Sequence, residues 1–394
     1  MKALNPGNAT SSITFQPNAK GEIDAAGFKA FARTLPGIGD IGIVPAKSVP
    51  EYQMQYWHQY LASGCQAGMQ YLERNIEKRA DPRSLLPEAR SLIVILCPYR
   101  PPLGTKTNPH IALYAQGKDY HKIVKDKLFL LASNLPPAAF RAFCDTAPLL
   151  EKYWAWQAGL GYIGRNTLLI HPVFGSFCFI GILLSQHCFD QYDHALPDSG
   201  RLSLSPDASL EPDRTCLSDT PDRPGLRDKP IRPAPSIETK AADSPAASSK
   251  ANSQHPCANC HRCVQACPGH ALNPGLDARR CFSYLTIEHK GERPPISDPY
   301  WFGCDICQNV CPANRSVPKT EEATDNPALQ IQGTFDPDFL PLPAITDLSP
   351  AGIAKMEQKQ FNILFKESAL QRAGLEGLQK NIIAWQKEHT YSDL

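Results

Sequence analysis

The chain has 394 residues, 42% of them hydrophobic, with 37 prolines and 14 cysteines. That length accommodates two or three cores, and the longest apolar run, residues 177–184, is far too short to span a bilayer, which excludes a membrane segment. A formal charge of +1 gives no whole-chain electrostatic case for nucleic acid, so an RNA partner would have to be met by a local patch.

Taken in chain order, residues 1–20 contain no apolar export core, which predicts a cytoplasmic protein whose thiols stay reduced. Residues 27–78 read as largely helical, with Tyr56, Trp57, Tyr60 and Leu61, then Met69, Tyr71 and Leu72, at spacings near three and four. Residues 91–97 form a buried strand stopped by Pro98 and the Pro101-Pro102 pair. Helical signal returns at 120–135 and 151–158, and the strand 177–184 closes an α/β region ending near residue 187. Residues 188–254 are rich in Pro and Ser and bury too little apolar surface to offset their ordering entropy, so they read as a disordered insertion. Residues 255–318 hold two cysteine runs, and 319–394 form a short helical region. There Ser349 caps a helix with Pro350 at its first position, and Leu375, Leu378, Ile382 and Trp385 mark the apolar face of another. The fold class is therefore α+β.

The cysteine runs are Cys257-Ala-Asn-Cys260-His-Arg-Cys263-Val-Gln-Ala-Cys267-Pro268, then Cys281 and Cys304-Asp-Ile-Cys307-Gln-Asn-Val-Cys311-Pro312. The first has the C-x2-C-x2-C-x3-C-P spacing of bacterial ferredoxins, in which the fourth thiolate serves the neighbouring 4Fe-4S cube. Two cubes are expected, one held by Cys257, Cys260, Cys263 and Cys311, the other by Cys267, Cys281, Cys304 and Cys307. Pro268 and Pro312 turn each fourth cysteine away from its own triad. Zinc fits less well because structural zinc sites usually present two separated Cys pairs, and disulfides would need an oxidising compartment. Most of the remaining six, Cys65, Cys97, Cys144, Cys178, Cys188 and Cys216, read as buried thiols.

Outside the cysteines, Gly159-Leu-Gly161-Tyr-Ile-Gly164 matches a dinucleotide fingerprint. It follows a helical stretch rather than a strand, however, and lacks the acidic residue that should trail it, so a Rossmann site is disfavoured. The glycines still permit close approach to a large flat or phosphate-bearing cofactor. Asp145, in Cys144-Asp-Thr-Ala-Pro148, is either a helix N-cap, the favoured reading of the residues alone, or a desolvated carboxyl able to donate a proton. His121 reads as a hydrogen-bonded histidine at a helix start, and His187, Asp190, Asp193 and His194 as a weak metal-like group at the edge of the insertion. Lys118, Lys122, Arg165, Arg279, Arg280, Lys290 and Arg293 are phosphate-contact candidates, each more ordinarily a solvated charge.

Together with the cysteines, several segments resemble the epoxyqueuosine reductases, cobalamin-dependent iron-sulfur enzymes that complete queuosine in the tRNA anticodon loop. They are Met69-Gln-Tyr-Leu, the stretch from Tyr114 to His121, Asp145-Thr-Ala-Pro-Leu, Ala158-Gly-Leu-Gly-Tyr-Ile-Gly-Arg-Asn-Thr-Leu168, Phe174-Gly-Ser176 and residues 276–288. The resemblance implies a cobalamin-binding catalytic domain over 1–187, followed by a two-cluster ferredoxin-like domain. Cobalamin would be held base-off, without a protein histidine, along Gly159, Gly161, Ile163, Gly164, Asn166 and Thr167, with Cys97, Tyr114, Asp145 and Ser176 near it. Asp119-Tyr-His121 begins the histidine-ligating pattern, but Val124 stands where it requires glycine. By the same resemblance Asp145 is the proton donor, which reverses the N-cap reading. The implied partners are tRNA carrying epoxyqueuosine and a low-potential electron donor, acting on a monomer. Three features depart from the family: the long insertion, Ala313 in place of a tryptophan, and a tail too short for a helical-repeat extension. The alternatives are a reductive dehalogenase, whose respiratory members carry a twin-arginine signal that residues 1–20 lack, and a noncatalytic ferredoxin-like carrier.

Overall fold

The computed structural model describes residues 14–196, 255–291, 299–314 and 335–390. The central 197–254 part of the expected insertion, Cys216 and Arg293 lie outside the described residues.

The centre is a four-stranded sheet of β2 (Asp40–Pro45), β3 (Ser91–Pro98), β4 (Phe140–Phe143) and β7 (Cys178–Ser185), ordered β2-β3-β7-β4 with every neighbour antiparallel. The whole of β3 is buried, so its two-residue period sorts side chains between two cores rather than between core and water. Ile93, Ile95 and Cys97 face one core, shared with α1 (Ala25–Thr34) and α4 (Tyr120–Ala132). Leu92, Val94 and Leu96 face the other, shared with Tyr153, Trp154 and Ala155 of α5 (Glu151–Gln157). The strands expected at 91–97 and 177–184 and the helices at 120–135 and 151–158 are thus present.

The largely helical reading of 27–78 is corrected by β2. Asp-Ile-Gly-Ile-Val-Pro alternates Ile41 and Ile43 toward the α1 side, and its backbone pairs Ile43 with Ile93. The helical spacing of aromatics begins only with α2 (Glu51–Ala62), and Met69-Gln-Tyr-Leu runs into a 3-10 turn. Packing of the first region also continues past residue 187. Strand β8 (Cys188–Phe189) pairs in parallel with β1 (Glu22–Ile23). Asp190 Oδ1 accepts from Ala25 N at 2.9 Å, while Asp193 accepts from Lys29 Nζ at 2.7 Å and from Ile43 N at 2.8 Å. His187 Nε2 lies 3.0 Å from Pro136 O. The metal-like group at 187–194 is therefore a set of structural clamps, each committed to a different partner.

A third core joins the remaining regions. Ile111, Ala115, Trp301 and Phe302 pack with Ile353, Phe361, Leu375, Leu378 and Ile382 of the C-terminal helices. Asn381 Nδ2 donates to the carbonyls of Thr286 and Trp301, both at 2.8 Å, and Ser349 caps Pro350–Ala354 by accepting from Gly352 N. Among the described residues no helix is long and apolar enough to cross a membrane.

Asp193→Ala leaves Lys29 and the Ile43 N–H without their carboxylate, which should cost about 1–3 kcal/mol. Urea unfolding should show a lower midpoint at unchanged slope; an unchanged midpoint would refute the clamp.

Candidate active site and cluster ligands

The two cysteine runs converge. The Cys263 thiol is pushed up to about 11, first by burial and then by the negative charges of Cys257, Cys311 and Cys260. Burial also raises Cys307, with Cys281, Cys263 and Cys267 adding their charges. Cys263 of the first run thus lies near Cys311 of the second, and Cys307 of the second near Cys263 and Cys267 of the first, while Cys304 stands one residue before Asp305, which begins the turn carrying Cys307. Thiols raised in this way are protonated in the bare protein, so binding iron must expel their protons. Among the described residues no three His, Cys, Asp or Glu side chains converge on a single-ion position. A cube takes one thiolate per iron, so its ligands stand apart around it.

The polar residues between these cysteines fasten the cluster region to the α/β sheet. Ser176 Oγ donates to Gln308 Oε1 at 2.9 Å, and Ser176 N donates to Asn314 Oδ1 at 2.8 Å. Asn314 Nδ2 returns a bond to Ser176 Oγ at 3.0 Å and Arg100 donates to the Asn314 carbonyl. Asp305, pushed up to about 6 by burial, accepts from Leu113 N at 2.7 Å and from Gln308 Nε2 at 3.1 Å. Arg165 holds the other cysteine loop, donating to the carbonyls of Cys257, Ala258 and Cys260 at 3.2–3.3 Å.

Asp145 follows β4 with a φ of 54°, the left-handed region that a non-glycine residue rarely takes. Two contacts hold it there. Its N–H donates to Glu151 Oε1 at 2.6 Å, and Tyr120 OH donates to its Oδ2 at 2.8 Å. Tyr120 is itself clamped between the rings of His121 and Phe179, at 4.0 and 4.2 Å. Burial, and then the charge of Asp145, raises the Tyr120 phenol far above its usual range, so it remains a donor. Burial and the Asp145 charge likewise push Glu151 up to about 8. The N-cap reading fails because α5 begins at Glu151, after Leu150, with no side-chain cap. The Asp145 carboxyl is exposed in the bare protein, so the desolvation expected of it is not supplied by its neighbours.

Side chains from several parts of the chain gather within electrostatic reach of Asp145. Lys152 donates to Thr167 O at 2.9 Å and feels the charges of Asp145, Cys307, Glu151 and Cys281, which links the aspartate to the second quartet. Tyr114 packs edge-on to Tyr120 at 6.1 Å and against Phe302 at 6.2 Å. Tyr71 is 45% exposed with Arg372 above its ring, and Arg372 pairs with Glu288 at 2.8 Å.

The remaining expected contacts divide. Gly159, Gly161 and Gly164 follow helix α5 and enter a hairpin of β5 (Tyr162–Ile163) and β6 (Leu169–Ile170), not the strand-to-helix turn of a dinucleotide site. A Cβ at these glycines would strike His194 O, Ile170 O and the Ile170 side chain respectively, so their close approach is to the chain itself. The chain's own packing therefore demands glycine at these positions. Ile163 sits half-buried in β5, and Thr167 turns the hairpin at a φ of 61°. Asn166 is 4% exposed and its Nδ2 has no partner among the described residues, leaving a buried donor for a bound group. Both polar atoms of Ser176 serve the joint to Gln308 and Asn314. Cys97, at 0% exposure and with burial raising its thiol to about 12, packs in the core shared with α1 and α4. His121 Nδ1 lies 2.7 Å from Asp119 Oδ1, the local bond expected of a helix start. Lys118, Lys122 and Arg279 pair with Asp338, Asp126 and Asp277. The polar residues Asp305, Gln308 and Asn314 were visible between the cysteines, but their apposition to Ser176 was not. Nor was the contact of Glu151 with Asp145 six residues before it.

The hairpin also receives both ends of the long connection. Leu196 packs by Gly159, and the His255 ring lies 5.4 Å from that of Tyr162.

A family model for epoxyqueuosine reductase QueG, DUF1730, matches residues 79–146, and one for a 4Fe-4S double cluster binding domain matches 256–314. The epoxyqueuosine reductase of Cyclobacterium marinum is 33% identical over 80% of this chain and 82% of its own. That of Pseudomonas aeruginosa is 31% identical over 91% and 83%. A crystal structure of epoxyqueuosine reductase with an epoxyqueuosine-modified tRNA-Tyr stem loop shares the fold, with a TM-score of 0.67 at 22% identity, over 92% of this chain and 80% of that one. With more than 30% identity to curated members across four fifths of both chains, the chain belongs to the epoxyqueuosine reductase family.

Proposed function

We propose that this protein reduces epoxyqueuosine to queuosine in the tRNA anticodon loop, with Asp145 as the proton donor. The proposed cluster ligands are Cys257, Cys260, Cys263 and Cys311, and Cys267, Cys281, Cys304 and Cys307. The reaction breaks both C–O bonds of the epoxide, takes up two electrons and two protons, and yields an alkene and water. When bound, cobalamin supplies a strongly reducing cobalt centre and the clusters supply low-potential single electrons. The residues fit both groups: the two cysteine runs lie close enough to feel one another's charges, and the Asn166 donor with Tyr114, Asp145 and Lys152 is available to a large polar cofactor.

The observation that carries the reading is the double hold on Asp145. Tyr120 occupies Oδ2, so Oδ1 is free to carry the proton to the epoxide oxygen, while Glu151 fixes the backbone that aims it. Glu151, neutral at pH 7 because burial and Asp145 raise it, keeps a second negative charge away from the donor. The exposed Tyr71 and Arg372 suit a nucleobase and its phosphate. The electrons come from a separate low-potential donor, and the reading keeps a cytoplasmic monomer, where tRNA and reduced thiols coexist.

Asp145→Asn should retain cobalamin and iron but lose about 10²–10⁴-fold in kcat. Anaerobic turnover of epoxyqueuosine-containing tRNA, read by mass analysis of nucleosides, tests this; full activity refutes the role. Cys307→Ser should reduce bound iron by about half, from two cubes to one; full iron would break the assignment. Because Glu151 ionises as pH rises through about 8, wild-type kcat should fall there. Glu151→Gln, neutral throughout, should lack that limb in a profile from pH 6 to 9.5, and identical limbs would remove Glu151 from this role.

A further inference from the structure

The two quartets differ in what surrounds them. Cys281 and Cys307 lie within electrostatic reach of Lys152, on the Asp145 side. Cys260, of the other quartet, lines an open surface cavity of about 440 Å³ together with Asn259, His261, Arg262, Gln265 and Pro312. No carboxylate is among its lining residues, and Asn259, Arg262 and Gln265 are exposed. Behind the rim, Arg165 adds a second guanidinium, spent on the carbonyls of Cys257, Ala258 and Cys260, which fixes the loop that presents Cys260.

The reaction proposed above draws two electrons per turnover from outside the chain. Electron transfer fades steeply with distance, so a donor must dock where a cluster ligand reaches the surface. Substrate takes the side of Cys281 and Cys307, and among the partly exposed cluster cysteines Cys260 is the one that lines this open cavity. We infer that the electron donor docks over Arg262 and Cys260, and that it is a protein presenting an acidic patch around its own redox centre. This rests on the two-cluster reading. The donor loses one electron to the quartet of Cys257, Cys260, Cys263 and Cys311 at each encounter, two encounters complete a turnover, and no proton moves at this face. Such encounters are brief and small, and charge complementarity acts mainly on their association rate.

The test uses reconstituted full-length enzyme with iron and sulfide quantified first, and hydroquinone flavodoxin, an acidic FMN protein, as the probe. Stopped-flow bleaching of cluster absorbance should give a second-order rate that falls with salt. Arg262→Glu should lower that rate about tenfold at low ionic strength and flatten its salt dependence. Gln265→Glu, on the same rim, should act in the same direction and guards against an Arg262 variant that assembles poorly. Reduced methyl viologen, a small cation, should reduce both variants no more slowly than wild type. Lys359→Glu, on the C-terminal helices, should leave the flavodoxin rate unchanged. Wild-type rates for both rim variants, or equal slowing by Lys359→Glu, would overturn the docking face. Wild-type protein without about eight iron atoms per chain would overturn the cluster reading and the face with it.

Discussion

A small buried set of hydrogen bonds governs the rest of the molecule: Ser176 with Gln308 and Asn314, and Asp305 with Leu113. Ser176, Gln308, Asn314 and Asp305 are 6%, 7%, 2% and 2% exposed, so each polar atom left unmatched would carry a desolvation cost of about 1–3 kcal/mol. An apolar contact between sheet and cluster region could slide; a satisfied polar one has a single register. The register matters because it sets the second quartet beside Lys152 and Asp145. Gln308 lies next to a cluster cysteine in sequence, so the joint and the cluster are positioned by the same short turn.

The double-cluster region and the central strands were legible from sequence for a common reason: both are written in local spacing. Iron ligation demands thiolates at fixed intervals, and a strand buried on both faces must be continuously apolar, as residues 91–97 are. Strand β2 escaped because it is short, contains a glycine and lies between two helices whose periodicity dominates the window. The protein neighbours of the other expected site residues were not legible, because Ser176, Cys97 and Gly159 meet segments distant in sequence that only the fold brings to them. Asp145 illustrates the gap most clearly. A carboxylate before Thr-Ala-Pro has the local chemistry of a cap, whereas its left-handed backbone and its bond from Tyr120 depend on α4, twenty-five residues earlier.

The site is composite. Tyr71 comes from the N-terminal region, Asp145 and Lys152 from the sheet region, Glu288 from the cluster region and Arg372 from the C-terminal helices. Bringing these side chains together from several parts of the chain goes with a shared third core, in which Ile111 and Phe302 pack against the tail helices. The tail acts as a part of the site as well as a cap on the fold.

Both ends of the connection between Leu196 and His255 rest on the same hairpin, one by Gly159 and the other by Tyr162. A loop whose anchors are already adjacent costs little to lengthen, about 0.6 kcal/mol for each doubling. Selection on folding therefore exerts almost no pressure on how many residues lie between these anchors, provided they meet. The site is thus a natural port for sequence drift, open to changes of length that leave its two anchors meeting.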